Sequence, residues 1–321
     1  MSFFYAQNPH IWYTFLEVAI VLNSIFFIYE NEIIVPLVQD ESAYVVEQGY
    51  SSAVFEASKF PENDYTSHKK TILIATDSQA KAKELSEKGF YVIGIAHAEN
   101  TSYEFKGLKY IFTDISEVDI DSFVKAYQRY AGEPWEILKT ERLVVRETTL
   151  EDVDEFYRLY ADPEMTRYME GLFENPEDEK RYQKDYIDKV YGLMGFGVWT
   201  VVRRSDGVVV GRAGYSVRNG VDDIELGFLI GKEYQRQGYA MEVCSAILDY
   251  GKVVLQLDKV QTLVKAENKV SIHICEKLGF EQTDTVEVEE NIYGQEYNAG
   301  QKVPFNECRH GTYVRMIKLL W

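Results

Sequence analysis

The sequence predicts an α/β protein in two parts, a smaller N-terminal domain over 1–134 and a larger C-terminal one over 135–321. Three observations carry this. The first is alternation of buried-type strands with amphipathic helices between Thr71 and Tyr130, the pattern of a parallel, open sheet. The second is a run of strands beyond residue 196 joined by hairpin signals, Ser205-Asp206-Gly207 and Arg218-Asn219-Gly220. The third is the break at Gly132-Glu133-Pro134, which punctuates the chain between the two patterns.

Composition bounds the function. The chain of 321 residues is 46% apolar and 14% aromatic, enough for a packed core in each of two domains. A formal charge of −18 repels nucleic-acid phosphates and suits a cationic partner such as an amine. Cys244, Cys275 and Cys308 form no CxxC pair, and an odd count without a secretory signal fits a reducing cytoplasm. The five histidines lack ligand spacing, so no metal is expected.

Taken in order, Ile11 to Tyr29 is largely apolar but interrupted by Glu17, Asn23 and Ser24. It reads as a buried or interface helix, with a membrane helix as the lesser alternative. Ile33 to Val38, containing Pro36, reads as an edge strand. Helical and turn segments follow from Glu41 to Ala57, and Ser58 to Lys70 reads as a loop around Pro61. Then come strand Thr71–Thr76, helix Gln79–Lys88 stopped by Gly89, strands Phe90–Ala96 and Tyr110–Thr113, and helix Ile120–Tyr130. Asp77 and Ser78 follow the first of these strands, where α/β sheets place ligands. The segment Ile72–Asp121 faintly resembles the last third of a haloacid-dehalogenase-like domain, whose Gly-Asp-Ser-x-x-Asp turn helps hold magnesium. Thr76 stands for the glycine and Lys81 for the second aspartate, and no Asp-x-Asp lies upstream. A degenerate domain for packing, regulation or dimerisation is therefore preferred to a phosphatase.

In the second part, Arg142–Glu147 alternates as a strand. Leu150–Asp162 is an amphipathic helix with Thr149 as its expected N-cap, and Pro176–Tyr191 is a second helix. Strands are expected at Gly197–Arg204, Val208–Val217, Asp222–Gly231 and Lys259–Lys265, with a final pair at Phe280–Glu290 and Thr312–Leu320. A long polar loop, Asn291 to Gly311, separates that pair. Ala240, Val243, Cys244, Ile247 and Leu248 share one face of a helix that starts after Gln235-Arg236-Gln237-Gly238-Tyr239-Ala240. A helix N-terminus offers unpaired N–H groups and positive dipole character to phosphate oxygens, and Gly238 has no Cβ to obstruct them. Asn268 caps a further helix that Gly279 stops.

Gln235, Gly238 and Ala240 fill the pattern Gln/Arg-x-x-Gly-x-Gly/Ala. That turn resembles the pyrophosphate loop of the GNAT family of N-acetyltransferases. Residues 139–320 carry further resemblances in order: Thr140-Glu141-Arg142-Leu143-x-x-Arg146, Trp199, Gly211…Gly214-Tyr215, Glu225-Leu226-Gly227, Asn268-x-x-Ser271, and Glu276 to Phe280. The opening is that of the RimJ/RimL-like branch. The resemblance implies the GNAT fold, a mixed and mostly antiparallel sheet flanked by helices. It also implies direct transfer of acetyl from acetyl-CoA to a primary amine, on a protein N-terminus or a small molecule.

On this resemblance Glu225 is the candidate general base, directly or through water. Backbone N–H groups near Phe228, Leu229 and Ile230 face the thioester, and Gln235, Arg236, Gln237, Gly238, Tyr239 and Ala240 hold the pyrophosphate. The family's general-acid tyrosine aligns with Cys275, a departure that leaves Ser271 as the alternative acid. Asn268 caps, or also bonds the pantetheine arm. Tyr168, Phe173, Trp199 and Tyr215 are candidates to line the acceptor tunnel. A competing reading is an acetyl-CoA sensor without transfer. Acetyl-CoA and an amine are the expected partners, with no metal, nucleic acid or membrane, a cytoplasmic setting, and a homodimer as a possible assembly.

Overall fold

The computed structural model describes residues 21–169, 171–218, 223–290, 297 and 309–321. The chain divides into two compact units, Met1–Trp135 and Glu136–Trp321.

In the first unit, β1 (Ser24–Tyr29) is the strand on which the sheet is built. Its neighbours are β2 (Ser51–Glu56) and β3 (Ile72–Thr76), both parallel to it. Ile25 and Phe27 enter one apolar cluster, while Phe26 and Ile28 enter another on the opposite face. A strand covered on both faces reads as an unbroken apolar run, and this is why the expectation of a helix through Tyr29 was mistaken for its end. The part of that helix over 11–20 lies outside the described residues.

The expected strand at Ile33–Val38 is also corrected. A 3₁₀ turn, Glu32–Ile34, leads into α1 (Val35–Glu47), with Pro36 in its first turn. A missing N–H costs nothing there, since that donor has no partner inside the helix. Ile34, Val38, Glu41 and Val45 are buried at helical spacing. The expected loop of 58–70 includes a short helix, α2 (Glu62–Tyr65), whose Tyr65 ring stacks on Phe60 at 5.7 Å.

The remaining elements are α3 (Gln79–Glu87), β4 (Tyr91–Ile95), β5 (Ile111–Phe112) and α4 (Ile120–Ala131). Ser78 caps α3 by accepting from the Lys81 N–H, and Asp119 caps α4 through the Ser122 N–H. The sheet order β2-β1-β3-β4-β5 is that of a doubly wound fold. Asp77, 1% exposed, joins the carboxyl ends of three strands. Its carboxylate accepts from the Glu30 and Asn31 N–H groups at 2.6 and 3.0 Å and lies 3.2 Å from His97 Nε2. Lys81 turns instead to Glu84.

The second unit contains β6 (Glu136–Lys139), β7 (Leu143–Arg146), α5 (Asp152–Tyr160), α6 (Pro176–Tyr186), α7 (Gly192–Met194), β8 (Val198–Arg203) and β9 (Val209–Ser216). It continues through β10 (Glu225–Ile230), α8 (Tyr239–Val253), β11 (Lys259–Lys265), α9 (Lys269–Lys277), β12 (Glu281–Glu290) and β13 (Arg309–Leu319). Among the described residues the sheet order is β12-β13-β11-β10-β9-β8-β7-β6, antiparallel except for the β10–β11 pair. The fold is thus the mixed, mostly antiparallel α/β arrangement expected. The Asn219-Gly220 turn, Cys308 and nearly all of the loop 291–311 lie outside the described residues.

Val243, Cys244, Ile247, Ile272 and Cys275 cover one sheet face, against Leu226, Val260 and Val264. Phe156 and Leu159 cover the other, against Val209 and Leu229. Thr149 is not the N-cap of α5, which starts after Glu151. The Thr149 N–H donates to the Asp152 carboxylate instead, because that carboxylate is held in place by the two Nη atoms of Arg146 at 2.7 Å each. The helix expected through Tyr191 loosens to a π turn at Ile187–Tyr191. Tyr186 accepts from the Val198 N–H while Tyr191 donates to the Val198 carbonyl, so both hydroxyls fix the start of β8.

Glu41 gives a test of the first unit. It is 6% exposed, its Oε1 has no hydrogen-bond partner among the described residues, and burial raises its carboxyl from 4.5 to about 7. The folded state therefore holds more protons than the unfolded between those values, and stability falls as pH rises through that window. Glu41→Gln should raise the melting temperature at pH 8 and leave it unchanged at pH 4. A variant that melts lower at pH 8 would show that the carboxylate has an unseen partner.

Candidate active site

The site is built on β10. Gly231 donates its N–H to Val210 at 2.9 Å, which sets the phase of the β9–β10 ladder. Alternation then turns the backbone of residues 225, 227 and 229 towards β9, and that of 226, 228 and 230 the other way. On that other side β11 is in register with β10 only at Glu225↔Gln261, where Gln261 donates its N–H to Ile224 at 2.9 Å. The strands part beyond this pair. The N–H groups of Phe228 and Ile230 face the resulting fork, whereas that of Leu229 faces β9.

β10 ends in a 3₁₀ turn at Lys232–Tyr234 and the chain crosses Gln235–Gly238 to α8. Gln235 Nε2 donates to the Ile230 carbonyl at 3.0 Å, and Gln237 Nε2 to that of Glu233 at 3.2 Å. Arg236 and Gly238 have φ of 61° and 85°. Gly238 is the N-cap and supplies no side chain, so no cap competes for the first-turn N–H groups. The left-handed conformation at this position is one that a glycine adopts without strain.

A clamp that sequence reasoning missed secures this turn. Arg142 donates through Nη1 to the Gln237 carbonyl at 2.9 Å and through Nε to Glu242 Oε2 at 2.6 Å. The Arg142 N–H and the Thr140 hydroxyl donate to Glu242 Oε1. Arg142 also covers the Tyr239 ring at 4.6 Å. The only sequence signal was an acidic residue in the first turn of α8, which favours the helix dipole.

Glu225 is 7% exposed and accepts from Arg218 Nε at 2.9 Å. Gln261 points to the same sheet face and donates through Nε2 to the Asp223 carbonyl at 2.8 Å. Ser271 lies on α9, on the opposite face of the sheet, and its N–H donates to Asn268 Oδ1 at 3.1 Å. Asn268 is therefore a cap. Cys275 is fully buried, and burial pushes its thiol up to about 11, against a hydrogen bond with Thr262. Trp199 and Tyr215 are 0% exposed and pack as core, on the α8 face. Phe173 lines an open cavity of about 410 Å³ with Tyr157, Tyr160, Met169 and Leu172 on the α5 side. Tyr168 is half-buried beneath Arg167. Among the described residues no group of three or more His, Cys, Asp or Glu is placed to hold a metal ion, and no helix is long and apolar enough to cross a membrane.

Residues 142–281 match the family model described as an acetyltransferase (GNAT) domain. An uncharacterized N-acetyltransferase of Bacillus licheniformis is 29% identical over 153 residues, 46% of this chain and 83% of that protein. The spermidine N(1)-acetyltransferase of Escherichia coli K12 is 40% identical over 75 residues, 23% of this chain and 40% of that protein. Among solved structures, an acetyltransferase (GNAT family) from Bacillus anthracis has 22% identity and a TM-score of 0.44, over 57% of this chain and 98% of its own. The second unit thus carries the stretch that matches an acetyltransferase (GNAT) domain, residues 142–281.

Burial of the two described cysteines has a direct consequence. At pH 8 Cys244 and Cys275 should resist iodoacetamide in the native protein and react on unfolding, as peptide mapping would show. Rapid native alkylation of Cys275 would overturn its placement in the core.

Proposed function

We propose that this enzyme moves the acetyl group of acetyl-CoA directly to a primary amine. The observation that carries the reading is the fork between β10 and β11, which opens onto the uncapped N-terminus of α8. An exposed strand edge inside a sheet accepts an extended amide-bearing ligand as an added strand. The pantetheine arm has that form. The first turn of α8 and the backbone of Gln235–Ala240 then suit its pyrophosphate.

In this reading the fork holds the thioester near the Phe228 N–H, which stabilises the oxyanion as the amine attacks the carbonyl carbon. Such a donor is typically worth about 2.7–4 kcal/mol. Glu225 takes the proton from the amine, directly or through water, with Arg218 fixing one carboxylate oxygen. The C–S bond breaks, and Ser271, from the other side of the fork, protonates the thiolate through water. Orientation of the two substrates supplies a gain of roughly 7–11 kcal/mol. Lys-type amines carry a greater deprotonation cost than α-amines, with pKa values of about 10.4 against about 7.7–8.0. The partial likeness to a spermidine acetyltransferase supports an amine acceptor. The first unit is read as a separate module for packing, regulation or dimerisation, and the thiol content suits a reducing cytoplasm.

Gly238→Asp should abolish measurable acetyl-CoA binding in calorimetry while the protein stays folded, its melting temperature lowered only by the left-handed strain at this position, because its carboxylate would meet the pyrophosphate. Unchanged affinity would overturn the loop assignment. Glu225→Gln should retain that binding and lower turnover by roughly 10²–10⁴-fold. The deficit should narrow as pH approaches the amine's own pKa. Full activity at pH 7 would remove Glu225 from the mechanism, and cofactor binding without thiol release for any amine would favour a sensor.

A further inference from the structure

We propose that Arg212 binds a carboxylate carried by the acceptor, so that the enzyme acts on amines that are also acids. This rests on the acetyl-transfer reading above and specifies its second substrate.

Arg146, Thr200, Arg212 and Leu229 form one row across β7, β8, β9 and β10, on the sheet face covered by α5. The first two members are satisfied by Asp152. Arg146 binds it through both Nη atoms, and the Thr200 hydroxyl donates to its Oδ2 at 3.0 Å. The Thr149 N–H takes the same oxygen. These three residues engage Asp152, and Arg212 makes no bond to it.

Arg212 has no hydrogen-bond or ion-pair partner among the described residues. Its Nε is buried and unpaired, and its guanidinium lies 4.3 Å from the Phe156 ring centre. The side chains around it include the phenols of Tyr160, Tyr191, Tyr182 and Tyr186. A half-buried guanidinium without a counter-charge is costly to keep. It is the more unusual in a chain with 52 acidic residues and 34 basic ones. Elsewhere on the same face the fold supplies a carboxylate where an arginine needs one.

Position gives the missing anion a meaning. Arg212 is paired across the strands with Leu229, next to Phe228 whose N–H faces the fork. Tyr160 is common to its surroundings and to the cavity of about 410 Å³ lined by Tyr157, Met169, Leu172 and Phe173. An acceptor entering from that cavity would lay its carboxylate on the planar donor fork of Arg212, a geometry suited to two parallel N–H···O bonds. Its amine would then reach towards the thioester and Glu225. A polyamine, with a cation where that carboxylate belongs, would be repelled.

The test compares each acid with its decarboxylated twin, ornithine against putrescine and tyrosine against tyramine, by acetyl-CoA-dependent thiol release. The wild-type chain should favour the acids by at least about 10-fold in kcat/KM. Arg212→Met, which keeps the length and the packing on Phe156, should erase the preference, mainly through KM. Arg212→Lys should restore part of it. Equal or faster turnover of the decarboxylated amines by the wild-type chain would overturn the proposal, as would an equal loss on both twins in Arg212→Met. If no amine is turned over, the acetyl-transfer reading fails by itself, and calorimetry of the acids on CoA-loaded protein decides the role of Arg212. Binding at least about 10-fold tighter to wild type than to Arg212→Met supports it, and absent or equal binding ends it.

Discussion

The catalytic unit depends on the parallel pairing of β10 with β11 being confined to one register position, Glu225↔Gln261. Were the pair extended, the N–H groups of Phe228 and Ile230 would be spent on β11 carbonyls and the sheet would close. Ending it at one residue leaves strand-edge donors inside a well-packed unit. That is a place where an extended amide ligand gains hydrogen bonds without displacing any the protein makes to itself. The same pairing sets Glu225 and Gln261 side by side on the face opposite Ser271, so a ligand in the fork is accessible from both sides of the sheet.

A second constraint holds the turn that follows. Arg236 and Gly238 are both left-handed, and a non-glycine residue in that region carries a cost of order 1 kcal/mol. The Arg142–Glu242 clamp, with Thr140, offsets it by tying the turn to β7's leading edge and to the first turn of α8. Glu242 also places a negative charge near the helix N-terminus without occupying the backbone donors of the cap. The turn is thus tied down by side chains that leave the first-turn N–H groups of α8 uncapped.

The first unit is organised by another buried carboxylate. Asp77 draws in the backbone of Glu30 and Asn31 and the ring of His97, joining β1, β3 and β4 at their carboxyl ends. Backbone donors satisfy a carboxylate at low entropic cost, since no long side chain is immobilised. An aspartate at a strand end can therefore serve architecture as well as chemistry, and its position alone does not distinguish the two.

By itself the sequence determined what repeats locally. Most strands of the second unit, the cap at Asn268, the helix stops at Gly89 and Gly279 and the order of the family motifs were legible, because each depends on neighbours within a few residues. It misread Ser24–Tyr29 as helix and Ile33–Val38 as strand, where continuous apolar runs fit either a central strand or a buried helix until the covering layers are known. Thr149 failed as a cap because Asp152 was already held by Arg146, a matter of tertiary contact. Arg142 and Glu242 meet across 100 residues, and Arg212 shows its lack of a partner among the described residues only when its row is assembled. Hydrogen-bond satisfaction and charge pairing are decided by what three-dimensional packing brings within about 3 Å, and no local pattern encodes that distance.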